Sequence, residues 1–482
     1  MQSLGFAHWM HRVPEECQRA GSDLAADPVH DLRVALRRCR SMADGLMAID
    51  PDPAWKNMKK AGKTLFRSLG DLRDVQVMME WVQKLASPDD PETQALQALL
   101  AKREHEHKLT AGEAIRDFDI RQWNKWSREL PRRAARVKPG SLVFKHLALE
   151  RWTEAHDLHR RAMRTRSQVA LHQLRIGIKR FRYIVENFLP QQHEAWSSEL
   201  KNLQDLLGDV HDLDVLWATA TEVNAFASPE SRARWQTIVH EARDKRVERY
   251  HALMVGEQSR WQTWRTELPQ GKQIQSVALT RLRLWSSYLD PDVAHSRRVG
   301  ELARQLLDGL TRLEMAPANP NQDLRGVLYA AALMHDVGRS KHGKGHHKAS
   351  YRMIRRLTPP LGWSASQLHL AAVAARFHRG ALPTLRHKVL RDLPLDQKKI
   401  VLHLAGILRF ANALDTESDG VIQRVSVEVR DKILTISAQG YAAWTQAAEE
   451  IAGAAYLLSL VLRRPIIMKS AARPKARRNE SK

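Results

Sequence analysis

From Phe6 to about Gln258, apolar residues recur every three to four positions, the pattern of amphipathic helices packed on one another. The pattern breaks at Asp50-Pro51-Asp52-Pro53, Ser87-Pro88-Asp89-Asp90-Pro91 and Lys138-Pro139-Gly140, where Pro and Gly punctuate the chain. Between about Asp89 and Trp126 the abundance of Ala, Leu, Glu and Lys predicts long helices. Trp123, Trp126, Phe144 and Trp152 lie at helical spacing, which favours core packing over base stacking. Glu267-Leu268-Pro269-Gln270-Gly271-Lys272 interrupts the pattern again, and 259–274 reads as a linker. Beyond it, helices are predicted over 275–315, Leu324 to Met334, 349–357, 364–378, 394–414 and about 443–462, with loops at Pro317 to Asn321 and Lys341 to Lys348. The period shortens to two at Val421 to Val429 and Ile433 to Ala438, which predicts a β-hairpin, and a short extended piece follows at 465–468. The fold class is therefore mainly α: a duplicated helical bundle, then a helical domain with a small C-terminal β-hairpin.

The duplication is visible residue by residue. Val29-His30-Asp31-Leu32-Arg33-Val34-Ala35-Leu36-Arg37-Arg38-Cys39-Arg40 returns as Leu171-His172-Gln173-Leu174-Arg175-Ile176-Gly177-Ile178-Lys179-Arg180-Phe181-Arg182. On a helix this spacing gathers His30, Arg33, Arg37 and Arg40 into an arc of about 80°, and His172, Arg175, Lys179 and Arg182 into its twin. Leu32, Ala35, Leu36 and Cys39, and likewise Leu174, Gly177, Ile178 and Phe181, form the opposite, apolar faces. A row of like charges repels itself, so it is best accounted for by a polyanion lying along it. A second pair, Leu69-Gly70-Asp71-Leu72-Arg73-Asp74 and Leu207-Gly208-Asp209-Val210-His211-Asp212, follows each basic helix at a similar interval, with lysines between (Lys56, Lys59, Lys60, Lys63; then Lys201). Two amphipathic helices with solvated basic faces are the plain alternative, and recurrence of the whole ordered pair counts against it.

Composition narrows the class. With 482 residues the chain is long enough for several domains, and 43% hydrophobic with 27% charged residues is the balance of a soluble globular protein. A formal net charge of +23 points to nucleic acid, polyphosphate or an anionic surface. Two cysteines, Cys17 and Cys39, offer no disulfide framework and no C-x-x-C zinc site, which suits a reducing cytoplasm. The N-terminus lacks a basic-then-apolar leader pattern, and the longest apolar run, Ile451 to Leu462, is too short to span a bilayer, so no membrane partner is expected. The tail 469–482 carries six basic residues and one acidic one and reads as disordered, adding weak polyanion affinity.

At the two repeated elements the chain resembles the CHAD family, the conserved-histidine α-helical domain built from two such repeats, over residues 1–258. The resemblance implies an all-helical domain whose basic groove or pore binds inorganic polyphosphate, with an association with polyphosphate granules. It further implies that His30, Arg33, Arg37, Arg40, Lys63, His172, Arg175, Lys179, Arg182 and Lys201 line that groove.

The second half carries a different chemistry. His295, His335-Asp336, His346-His347, His378 and Asp415 fall on successive predicted helices or at their ends. Imidazole and carboxylate together suit divalent Mn, Fe, Co or Zn, and an adjacent His-Asp pair offers a nitrogen to one ion and a bridging carboxylate to two. Arg339, Lys341, Lys344, Lys348, Arg376 and Arg379 supply positive charge for a phosphoryl group.

The ordered set resembles the HD superfamily of metal-dependent phosphohydrolases. Over 275–468 the likeness is closer, to the C-terminal HD-type domain of the exopolyphosphatase/guanosine pentaphosphate phosphatase family, through Ala331-Ala332-Leu333-Met334-His335-Asp336-Val337-Gly338-Arg339, Ala375-Arg376-Phe377-His378-Arg379-Gly380 and Leu408-Arg409-Phe410-Ala411-Asn412-Ala413-Leu414-Asp415. It implies metal ligands His295, His335, Asp336, His347 (preferred over His346), His378 and Asp415, with Asp336 as the central catalytic carboxylate. In that family ATPase-like catalytic domains come first; here the basic repeats stand in their place. Arg339 replaces a common Lys, and Ala349 a frequent His.

The reading that joins the halves is a polyphosphate-binding protein with a metal-dependent phosphohydrolase domain acting on polyphosphate or a related phosphoanhydride. A non-catalytic polyphosphate-binding protein is the second reading, and an RNA-binding phosphohydrolase the third. Aromatic residues do not interleave with the basic stripes, which favours a partner made only of phosphate over RNA.

Overall fold

The computed structural model describes residues 5–471 except 23, 224, 258, 318–322 and 342. The chain divides into two compact units, Met1–Gln273 and Ile274–Lys482.

The first unit holds α1 (Phe6–Ser22), α2 (Ala26–Met47), α3 (Pro53–Ala61), α4 (Lys63–Leu85), α5 (Pro91–Arg116), α6 (Ile120–Ala134), α7 (Leu142–Thr165), α8 (Gln168–Phe188), α9 (Pro190–Glu222), α10 (Pro229–Met254) and α11 (Arg260–Thr266). The repeat is structural as well as sequential. In the first copy α1 packs on α2 and α4 on α5; in the second, α7 packs on α8 and α9 on α10. The copies meet through α2 against α8 and α4 against α9. Where the first copy breaks at Gly62 between α3 and α4, the second runs through as the single 33-residue α9.

The predicted apolar faces are the ones that fold inward: Leu32, Ala35, Leu36 and Cys39 are fully buried, as are Leu174, Ile178 and Phe181. Complete burial of one such side chain contributes roughly 1.5–3 kcal/mol, so each face anchors its helix. Trp123 and Phe144 are core residues, and Trp123 Nε1 donates to the carbonyl of Met10. Trp152 is only half-buried and stacks on His156.

Residues 259–274, expected as a linker, contain α11. Its Trp261 and Trp264 are buried against Trp152, Trp196 and Phe181, and two indoles in seven residues supply enough apolar area to dock so short a helix.

The second unit holds α12 (Lys272–Ser287), α13 (Val293–Arg312), α14 (Leu324–Met334), a short 3₁₀ turn (Val337–Ser340), α15 (His346–Arg355), α16 (Ala365–Arg376), α17 (Lys388–Arg391), α18 (Leu395–Ala413), β1 (Val425–Arg430), β2 (Ile433–Ala438), α19 (Gln446–Leu462) and β3 (Ile466–Ser470). Apolar almost all round, α14 is the central helix, packed by α13, α16 and α18. The hairpin pairs β1 with β2 antiparallel, from Val425 opposite Ala438 to Arg430 opposite Ile433. Asp431 and Lys432 turn it with φ of 48° and 63°, the left-handed pair a two-residue hairpin loop needs.

The extended piece at the end is a third strand. β3 pairs parallel with β2, and α19 provides the crossover that parallel pairing requires. It runs to Ser470, two residues into the expected tail; residues 472–482 of that tail lie outside the described residues, as does most of the loop expected at Pro317 to Asn321. Both cysteines are buried and free. Among the described residues no helix is long and apolar enough to cross a membrane.

Candidate functional site

In the second unit several helix ends converge. α14 delivers His335 and Asp336 at its C-terminus, α16 delivers His378, α18 delivers Asp415, and His295 sits in the first turn of α13, whose N-cap Asp292 accepts from its backbone N–H. Gly345, with φ of 78°, starts α15 so that His346 is its first residue. Gly338 lets the 3₁₀ turn lie directly on α15: an added Cβ would fall 2.2 Å from the carbonyl oxygen of His346 and 2.5 Å from the backbone nitrogen of Ser350. Ser350 completes the join, its Oγ accepting from the Gly338 N–H at 2.9 Å and donating to the His335 carbonyl at 2.6 Å.

Three imidazoles are held in one way. The Nδ1 atoms of His335, His346 and His378 lie 2.6, 3.0 and 2.8 Å from the carbonyl oxygens of Ala332, Gly343 and Ala375, each three residues earlier. With Nδ1–H donating there, Nε2 is the nitrogen left to bind. All three Nε2 atoms face Asp336 Oδ1, at 3.7 Å from His335, 3.0 Å from His346 and 3.6 Å from His378. Two ligands of an ion with bonds of about 2.05 Å lie about 3.3 Å apart in tetrahedral geometry, so these spacings suit one.

The buried Nε2 of His335 has no hydrogen-bond partner, the kind of orphaned donor-or-acceptor atom that an ion satisfies. Two trios, His295 with His335 and Asp336, and Asp336 with His346 and His378, bring ligand atoms within 4.8 Å of one another. The donor set therefore fits a divalent ion. The C-termini of α14 and α16 add partial negative charge that favours a cation.

Burial alone raises a carboxyl, but the imidazoles of His335, His346 and His378 around it hold Asp336 far below the usual carboxylate range. Burial pushes His378 and His335 down, keeping the neutral form that ligates. Arg339 pairs with Asp336 Oδ2 at 3.0 Å.

The structure brings His346, rather than the expected His347, to Asp336. His347 is half-buried on the next face of the helix and packs against Gly380, where an added Cβ would fall 3.2 Å from its Nε2. Its burial, then the nearby Arg376, His346, Lys348 and Arg379, push it down to about 4. One residue of helix is about 100° of rotation, and Gly345 sets the phase. Asp415 is buried but faces His295 and Arg298. Arg298, Asn412, Gly338 and Ser350 were not singled out from sequence, since nothing in their spacing marks them.

In the first unit, α2 and α8 bring Arg33, Arg37, Arg175 and Lys179 together. Burial and then the charges of Arg175, Arg37 and Arg33 push Lys179 down to about 8, with Asp74 acting the other way. The stripe is not purely basic. Asp74 from α4 lies 3.8 Å from Arg33, and burial raises its carboxyl while the charge of Arg33 acts the other way. Asp212 from α9 stands in the matching place of the second copy; burial comes first, then Arg175 opposes and Asp74 and Asp209 assist, leaving it at about 6. The repeated Asp-bearing elements thus face the repeated basic ones.

His172 Nδ1 lies 3.2 Å from His211 Nδ1, and burial pushes His211 down to about 4. Arg40 donates to the Lys59 carbonyl and lies over Phe66, and Arg182 is 3.7 Å from Glu186. His30, Lys63 and Lys201 are exposed on their helices.

Two family models match the chain: the CHAD domain over residues 5–221, and Ppx/GppA phosphatase, domain III, over residues 280–449. The protein joins a CHAD domain to a Ppx/GppA-type domain III. No curated protein matches it. Among solved structures it is similar to the CHAD domain from the plant Ricinus communis, at 20% identity, covering 56% of this chain and 96% of that one with a TM-score of 0.38.

Proposed function

We propose that the protein binds inorganic polyphosphate on its CHAD domain and hydrolyses a phosphoanhydride, of polyphosphate or a related compound, at the histidine–aspartate cluster of its second domain. The observation that carries the catalytic half is the convergence of three backbone-tethered imidazoles on one oxygen of Asp336. Such tethering fixes tautomer and ring direction in advance, which a merely structural histidine does not need. His335, His346, His378 and Asp336 are the residues that hold a divalent Mn, Fe, Co or Zn ion. When bound, that ion supplies Lewis acidity and an acidified water.

The chain contributes the rest. Arg339 restrains Oδ2 of Asp336, while Arg376, Arg379 and Lys348, grouped around His347, neutralise a phosphoryl group. On the CHAD domain, Arg33, Arg37, Arg175 and Lys179 replace the counterions of the polyanion. RNA, which the net charge alone would also accommodate, has no support from either matched domain.

A second reading has its own observation. Asp336 and Asp415 are both paired with arginine, as in a site that binds without reacting. Elemental analysis of the purified protein, followed by phosphate release from polyphosphate after loading with each ion, separates the two. Bound metal with release supports hydrolysis; binding of polyphosphate without release under every ion supports the non-catalytic reading.

A further inference from the structure

Arg355 lies about 13 Å along α15 from His346, well away from the histidine–aspartate cluster. It lines an open pocket of about 590 Å³ built by α15, α16, α17 and the start of α18. Three elements make the lining cationic: Arg355 on α15, His369 on α16 and Lys388 on α17. Tyr351, Val389 and Leu393 make it apolar elsewhere. Arg355 Nη1 is in contact with His369 Nδ1. A guanidinium only donates, so His369 Nδ1 is the acceptor and its Nε2 carries the proton as a further donor. Burial, then the charge of Arg355, push His369 down, which keeps that neutral form. Asp392 is the one carboxylate of the lining, and it lies 3.5 Å from Arg391. Among the described residues, neither Arg355 nor Lys388 has a carboxylate at ion-pair distance.

We infer that this pocket binds a small phosphomonoester, with the phosphoryl group on Arg355, His369 and Lys388 and the apolar body on Tyr351, Val389 and Leu393. Two cations and an imidazole donor gathered without a counter-charge repel one another, and a bound anion relieves that repulsion. The forked guanidinium matches two phosphoryl oxygens at once, and Lys388 adds a mobile point charge. A bare phosphate would leave the apolar lining facing water, so the pocket fits a ligand that carries an apolar body as well. Several hundred Å³ of mixed lining, with a few polar groups among apolar ones, is the make-up of a small-molecule site. The site is separate from the cluster, and it holds whether or not the cluster binds metal.

Acylation of the exposed Lys388, followed by peptide mass spectrometry of the full chain, reads occupancy of this pocket, with the exposed Lys432 of the hairpin turn as the reference. Phenyl phosphate is expected to slow acylation of Lys388 by about threefold or more at saturation and to leave Lys432 unchanged. Inorganic phosphate is expected to protect less, because it covers none of the apolar lining, and sodium chloride of equal ionic strength not at all. Arg355→Met and, independently, His369→Leu are each expected to cut the protection by phenyl phosphate. No protection of Lys388 in the wild type, or equal protection by sodium chloride, would overturn the inference. Inorganic phosphate that protects as well as phenyl phosphate would overturn the part given to the apolar body. Full protection retained in both variants would overturn the assignment of the phosphoryl group.

Discussion

His346 Nε2 lies 3.0 Å from Asp336 Oδ1, although the two residues belong to different helices joined by a Gly-, His- and Lys-rich loop. Its neighbour His347 faces Gly380 instead. His346→Ala is therefore expected to weaken metal binding by about 10- to 100-fold or more, while His347→Ala leaves metal affinity near that of the wild type. Isothermal titration with Zn or Mn reads both. The reverse ranking would put the ligand on the other histidine.

Gly338 is where the turn after Asp336 meets α15. An alanine there places a methyl group 2.2 Å from the His346 carbonyl, and backbone has no way to yield except by shifting α15. Gly338→Ala is expected to destabilise the second unit by about 1–3 kcal/mol and to weaken metal binding with it. Thermal unfolding with and without metal checks this, and an unchanged melting temperature would contradict the packing described.

On the CHAD domain, Arg33→Ala with Arg37→Ala, or Arg175→Ala with Lys179→Ala, should weaken polyphosphate binding. Each pair should also flatten the slope of log K against log salt by about 1.4, because two fewer counterions are released. A slope equal to that of the wild type would remove these residues from the binding face.

Polyphosphate affinity should fall as pH rises, in two steps. Lys179 sits at about 8 with Arg33, Arg37, Arg175 and Asp74 around it. A polyanion favours its charged form, so above that pH binding must take up a proton and weakens. Asp212 sits at about 6, facing Arg33, Arg175, Asp74 and Asp209. Above that pH it carries a negative charge that repels the ligand; below it the repulsion is gone. Lys179→Met should remove the upper step and Asp212→Asn the lower, each read by binding isotherms from pH 5 to 9. Affinity that rises with pH would contradict the assignment.

Much of this was legible in the sequence because it follows from periodicity. The buried faces of α2 and α8, the apolar α14 and the hairpin all come from spacing that a helix or strand converts directly into position. The parts that were not legible depend on long-range contacts. His346 and His347 are chemically equal neighbours, and only the start of α15 at Gly345 decides which one turns inward. Asp74 and Asp212 face the basic stripe because α4 packs on α9, a pairing no local pattern encodes. Arg298 looks like any surface arginine of an amphipathic helix until α18 brings Asp415 to it. The docking of α11 likewise depends on a tryptophan cluster drawn from distant parts of the chain.

The central claim is a division of labour: phosphate chains are captured by one domain and cut at a metal centre built on Asp336 in the other. Its most direct test is a paired measurement on wild type and Asp336→Ala, phosphate release from polyphosphate after metal loading and polyphosphate affinity by titration. The account predicts that the wild type releases phosphate, that Asp336→Ala releases none and has lost its metal, and that both bind polyphosphate equally. Absence of release from the wild type under Mn, Fe, Co and Zn, or loss of polyphosphate binding in a folded Asp336→Ala, would contradict it.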